Sequence, residues 1–228
     1  MGWTFLYLRD DEKYLPDYIQ FNHCDDSFSI SGKNLKSLRG CPKDISYPGG
    51  FSCSGCESLI SLEGCPKDVD WFDCSNCKKI KSLEGCPKYS PSNFYCRACE
   101  SLTSLKGCPE NVKFFKCDDC KKLISLRGVP KKIGGIFLCR FCDNLKSLEN
   151  GPKKVHESFL ASDCKNLTSL EGAPEEIGQV FDCSGCSSLI SLNGCPKKCA
   201  YFQCNNCGTK FTKDDVKKVS KVKVAIYV

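Results

Sequence analysis

Val69-Asp70-Trp71-Phe72-Asp73-Cys74-Ser75-Asn76-Cys77-Lys78-Lys79-Ile80-Lys81-Ser82-Leu83-Glu84-Gly85-Cys86-Pro87 is one unit of a pattern that fills most of the 228-residue chain. Its phenylalanine returns as Phe51, Phe72, Phe94, Phe115, Phe137, Phe159, Phe181 and Phe202, at steps of 21 or 22 residues. Self-similarity at a period of 20 to 50 residues marks a repeat architecture. Within the unit, Phe72 and Cys74 alternate with Trp71, Asp73 and Ser75, which is the period of a short strand with one face buried. Phe and Cys are therefore expected to face inward. The chain then turns at Cys77, buries Ile80 and Leu83, and is broken at Gly85 and Pro87, residues that rule out a long helix.

A coil this short cannot bury its own apolar face, so successive coils must stack, their strands forming one parallel sheet with about 4.8 Å per rung. The expected fold is a repeat solenoid, and eight rungs would span about 35 to 40 Å. Val69, Phe72, Cys74, Cys77 and Ile80 fit the frame L-x-x-L-x-L-x-x-N/C-x-(x)-L, with Phe and Cys in place of Leu, and so the array resembles the leucine-rich-repeat family. The Leu-x-Ser-Leu-x-Gly-x-Pro segments at 102–109, 123–130 and 167–174 resemble the short proline-bearing repeats of bacterial effectors, and of hypothetical proteins of bacteriophages and large DNA viruses. The resemblance covers about residues 28 to 208. It implies a parallel sheet on the concave face, short irregular convex segments, and a binding role.

The repeat's edges set the expected domain organisation: a cap over 1–27, a leucine-rich-repeat-like array of about eight coils over 28–208, and a closing cap over 209–228. Phe28 and Ile30 hold the Phe and first-Cys positions of a degenerate first unit. Trp3, Phe5, Tyr7 and Phe21 are expected to cover the open apolar end. At the other end Thr212 before Asp214 and Asp215 reads as a helix start, and 222–228 as a strand. Within the array, Ala161 replaces the first Cys and Asn150 the Gly.

The 22 cysteines would announce a disulfide scaffold in a secreted chain. Residues 1–11 lack a basic leader followed by an apolar stretch, so an intracellular, cytoplasmic location is expected, where thiols stay free. Seven Cys-x-x-Cys pairs, at 53/56, 74/77, 96/99, 117/120, 139/142, 183/186 and 204/207, have zinc-like spacing. Both cysteines nevertheless fall on positions the repeat must bury, and Ile30 and Ala161 substitute at the first. Packing as small neutral groups is therefore the favoured reading, and no metal or other cofactor is expected. Were zinc bound, the crowded Cys195, Cys199, Cys204 and Cys207 would be its place.

If Phe and the first Cys point inward, the residues one before, one after and three before that Cys point out from the opposite face of the sheet. Trp71, Tyr95, Arg97, Phe114 and Arg140 lie there together, and Trp, Tyr and Arg are enriched at interface hot spots. These five are the candidate partner-binding residues. The competing reading is that they only shield one another along the sheet. The patch mixes acid, base and aromatic groups, which favours another protein as partner. Nucleic acid is the disfavoured ligand. The net charge is +6, but six lysines against two aspartates in residues 209–228 put +4 of it in one tail, and Glu110, Glu175 and Glu176 interrupt the basic turns. No apolar run reaches membrane-spanning length, and nothing fixes an oligomeric state.

Catalysis is not expected, and no catalytic residue is assigned. The two histidines, His23 and His156, suggest no triad, and no phosphate-binding glycine loop is present. The expected function is a non-enzymatic protein-binding module, with a virus-encoded origin consistent with the resemblance. The alternatives are a structural or scaffolding component of a virion or larger assembly, and a zinc-stabilised nucleic-acid binder.

Overall fold

The computed structural model describes residues 3–16 and 20–228. It is a parallel β-solenoid built on one eleven-stranded sheet, with a single short helix among the described residues, Lys213–Val219. The strands run in chain order: Trp3–Tyr7, Ser27–Ser31, Phe51–Ser52, Trp71–Asp73, Asn93–Tyr95, Phe114–Lys116, Phe137–Leu138, Phe159–Leu160, Val180–Asp182, Lys198–Gln203 and Lys221–Tyr227. Eleven strands at about 4.8 Å give a sheet about 48 Å long.

Register follows the phenylalanines. Phe28 pairs with Phe51, Phe51 with Phe72, Phe72 with Phe94, and so on to Phe181 with Phe202. All nine rings, Phe28 included, are fully buried. Consecutive centroids lie 5.0 to 6.1 Å apart in a single file. Burying such a side chain contributes roughly 1.5 to 3 kcal/mol, so the file is the largest apolar feature of the core. Leu35, Leu59, Ile80, Leu102 and their equivalents, with Leu38, Leu62, Leu83 and Leu105, form two further buried columns beside it.

Two turns per coil need a positive φ. The first lies between the paired cysteines and is occupied by Gly55, Asn76, Ala98, Asp119, Phe141, Asp163, Gly185 and Asn206. Asn, Asp and Gly tolerate that region, whereas Ala98 (φ 51) and Phe141 (φ 58) occupy it at a cost. The second is the Gly before each proline turn. At Gly107, with φ 99, a Cβ would sit 2.5 Å from the backbone nitrogen of Glu84 in the preceding coil. Asn150 fills the same place with φ 62, which explains how this one coil dispenses with glycine. The serine of most Leu-x-Ser-Leu segments closes the turn locally: Ser61, Ser125 and Ser169 accept from the amides of Glu63, Arg127 and Glu171 at 3.1 Å.

At the amino end the structure corrects one expectation. Trp3–Tyr7 does not lie across the open end; it adds a strand, with Thr4 opposite Phe28 and Leu6 opposite Ile30. That parity turns Phe5 and Tyr7 outward, 71% and 77% exposed, so they do not cover the core. Leu8 and Leu15 are buried instead, and Phe21 packs edge-on against Phe28 at 5.0 Å. The Trp3 side chain lies outside the described set. At the carboxyl end Thr212 caps the helix in a capping box with Asp215, Val216 is buried, and Ile226 pairs with Phe202.

Candidate functional site

The cysteines of the Cys-x-x-Cys pairs fall into two columns. In the first, among the described residues, only Cys117 and Cys183 donate a thiol, to the carbonyls of Leu138 and Gln203 in the next coil, whereas in the second every thiol donates. Cys53, Cys74, Cys96, Cys117, Cys139, Cys183 and Cys204 continue the strand inward, the column in which Ile30 and Ala161 also stand. The second column, Cys56, Cys77, Cys99, Cys120, Cys142, Cys164, Cys186 and Cys207, holds cysteine in every coil from Cys56 onward. Each of its thiols donates to the backbone carbonyl of the first-column residue one coil earlier. Cys120 donates to Cys96 at 3.1 Å, Cys142 to Cys117 at 3.3 Å, Cys164 to Cys139 at 3.1 Å and Cys186 to Ala161 at 3.3 Å. A buried carbonyl left unpaired costs free energy, and the small S–H group supplies a weak donor in a space that admits little else. The second column is therefore a hydrogen-bonding ladder as well as packing, a role the sequence reading missed. The clue in the sequence was that apolar residues replace only the first cysteine.

Burial pushes the Cys56 thiol up to about 12, and does the same at Cys41 and Cys86. All 22 cysteines are free thiols. Among the described residues no group of three or more His, Cys, Asp or Glu side chains is placed to hold a metal ion. Cys195, Cys199, Cys204 and Cys207, the cluster expected to serve zinc best, do not converge into such a set.

The outward face of the sheet carries the candidate partner-binding residues. Trp71, Tyr95 and Phe114 are half-buried, Trp71 and Tyr95 against a neighbour from an adjacent coil and Phe114 against the lysine that precedes it. The Trp71 indole covers Gly50, the residue at its own position one coil earlier. The Tyr95 ring has Lys116 Nζ 4.9 Å from its centroid, and Phe114 has Lys113 Nζ at 5.2 Å. Burial first, then the charge of Asp73, raises the Tyr95 hydroxyl above its ordinary value. Shielding by neighbours thus accounts for part of this surface, and each of the three side chains stays partly exposed.

Arg97 and Arg140 converge on Asp118, which stands on the same outward face. Its carboxylate is 2% exposed. Arg140 donates to it from Nε at 3.1 Å and from Nη2 at 3.2 Å, and its backbone amide donates at 3.0 Å. Arg97 Nε lies 3.6 Å from the other side. Hydrogen bonding to Asp118 holds Arg140 still more firmly protonated. The three belong to one column, three residues beyond each Phe: Ser31, Ser54, Ser75, Arg97, Asp118, Arg140, Ser162, Ser184 and Asn205. Charges alternating in sign at the repeat period were the available signal.

His23 lies 3.1 Å from Ser46 Oγ and 3.2 Å from Asp25 Oδ1, a nucleophile-bearing neighbour that the sequence did not suggest. Both contacts meet the same ring nitrogen, Nε2, whereas a relay needs them on opposite nitrogens. His156 is exposed on its turn. Among the described residues no helix is long and apolar enough to cross a membrane. Compared with protein-family models, with curated proteins and with solved structures, the chain matches none of them.

Proposed function

We propose that the chain is a non-enzymatic binding module of the leucine-rich-repeat type, which engages another protein through the outward face of its sheet, the face that the resemblance makes concave. The burial of Val69, Phe72, Cys74, Cys77 and Ile80 in that family's frame supports the assignment. So does the ladder made by the cysteine at the frame's Asn/Cys position. The observation that carries the binding role is the band of half-exposed Trp71, Tyr95 and Phe114 beside Arg97 and Arg140, at the middle of a sheet about 48 Å long. Aromatic and guanidinium groups of this kind contribute most of the free energy at protein interfaces. Unpaired buried thiols fit a reducing, intracellular compartment.

The test is capture from the native source with the intact chain and with a Trp71→Ser/Tyr95→Ser/Phe114→Ser variant. A protein retained by the first and lost by the second, with melting curves that overlay, supports the reading. A partner equally retained by the variant, but lost when exposed Ile60, Ile124 and Ile190 on the opposite side become serine, would move the contact surface and defeat it.

A further inference from the structure

The fold's own solution for the column three residues past each Phe is serine. Ser75 and Ser162 are 8% exposed there, and the Ser75 hydroxyl accepts from the amide of the next coil, Arg97, at 3.2 Å. Three consecutive coils depart from that solution together. Taking a carboxylate out of water costs several kcal/mol before pairing, and a well-packed neutral group is often as stable as a buried ion pair. Stacking the coils does not call for Arg97, Asp118 and Arg140, since Ser75, in the coil before them, already makes the amide contact that Asp118 makes to Arg140.

What the departure creates is a pair of held cations. Asp118 engages Nε of Arg97 and both Nε and Nη2 of Arg140. Both terminal nitrogens of Arg97 and Nη1 of Arg140 have no partner among the described residues, on side chains 53% and 35% exposed. Asp118 pairs with one guanidinium most closely, Lys116 from the same coil adds a cation over the Tyr95 ring, and Asp119 and Asp182 act on Arg140, and Asp73 on Tyr95, from farther off. The result is two guanidinium groups with unfilled donors in a half-enclosed setting. There guanidinium forks are fixed in advance by a buried anion, and a carboxylate or phosphate can take two parallel hydrogen bonds.

We propose that Arg97 and Arg140, oriented by Asp118 and assisted by Lys116, form an oxyanion-binding site for an acidic or phosphorylated segment of the protein partner. This rests on the binding role above and names the chemistry that the partner must bring. Asp118 is the positioning residue and the two arginines are the contacts.

The test titrates the full chain with three fluorescein-labelled ten-residue probes: polyglutamate, a peptide with two phosphoserines in a Gly/Ser background, and polylysine. The key variant is Arg97→Ser/Asp118→Ser/Arg140→Ser, which extends the serine column through the site. The control is Lys217→Ala/Lys218→Ala in the basic tail. Binding of either anionic probe but not polylysine, weakened tenfold or more by the serine variant and unchanged in the tail control, supports the site. The stronger of the two anionic probes then identifies carboxylate or phosphate as the source. Absence of binding by both, equal binding by the serine variant, or equal loss in the tail control overturns it. If the triple variant does not fold, Arg97→Ser alone leaves Arg140 on Asp118 and must still weaken binding at least threefold. A captured partner that needs Trp71, Tyr95 and Phe114 but is indifferent to the serine variant would remove this site alone. Peptide binding without any such partner would remove the wider reading alone.

Discussion

Replacing Cys139 and Cys142 separately by alanine and by serine should give opposite orders of stability, because the two thiols of one coil do different work. Cys142 donates to the Cys117 carbonyl at 3.3 Å. Cys139 is fully buried in the column where Ala161 stands as a natural replacement. Alanine at either site removes about one methylene's worth of buried surface, about 0.8 kcal/mol. At Cys142 it also orphans a buried carbonyl, adding about 1 to 3 kcal/mol. Serine at Cys142 keeps a donor, so its cost stays near 1 kcal/mol. At Cys139 it buries a hydroxyl in an apolar column, for about 1 to 3 kcal/mol. The expected order is therefore serine above alanine at 142 and alanine above serine at 139, with gaps of about 1 kcal/mol or more. Urea unfolding followed by circular dichroism resolves such gaps if the slopes agree. The same order at both positions would refute the division into a packing column and a donor column.

Three further outcomes are expected. Gly55 has open space where a Cβ would go and a φ of 79. Gly55→Ala should thus lower stability by about 0.5 to 1 kcal/mol through backbone strain alone, and Ala98→Gly, at φ 51, should raise it by about 0.5 kcal/mol after the entropy of the unfolded glycine is offset; paired thermal melts check both signs. Buried thiols such as Cys41, Cys56 and Cys86 are raised from 9.0 to about 12. The unfolded chain therefore loses those protons first, and stability should be intact below pH 9 and fall between pH 9 and 12, by up to about 1.4 kcal/mol per pH unit per group. Melting temperatures that stay level across that window would contradict the burial. A thiol reagent at neutral pH should label the partly exposed Cys65, Cys108, Cys195 and Cys207 first, with the rest reacting only on unfolding, as mass spectrometry of the alkylated chain would report.

The features written into every coil were legible in the sequence. The step between phenylalanines gives the rung, the alternation around Phe72 gives the inward face, and the glycine before each proline turn gives the positive φ. What recurs only once was harder to read. Residues 3–7 form a strand whose inward positions are Thr4 and Leu6. Neither matches the Phe and Cys of the repeat, and the larger aromatic residues, Phe5 and Tyr7, stand on the other parity. A shift of one residue moves a whole strand's side chains to the opposite face. The terminal helix was readable because Thr212 and Asp215 carry their own local capping signal. On the outward face the row containing Arg97, Asp118 and Arg140 could be read off the period. The convergence of two arginines on one buried carboxylate could not, since it depends on side-chain reach between coils and not on sequence spacing.

The stacked file of phenylalanine rings is the claim on which the fold, the outward face and the proposed site depend, and aromatic proton contacts measured by nuclear magnetic resonance on phenylalanine-labelled protein test it most directly. Phe72 and Phe94 are 5.1 Å apart between centroids, and Phe94 and Phe115 are 5.3 Å apart. Cross-peaks should therefore connect each ring to the next along the series from Phe28 to Phe202 and skip none. Rings without those sequential contacts, or rings reached by a soluble paramagnetic agent, would contradict the solenoid itself.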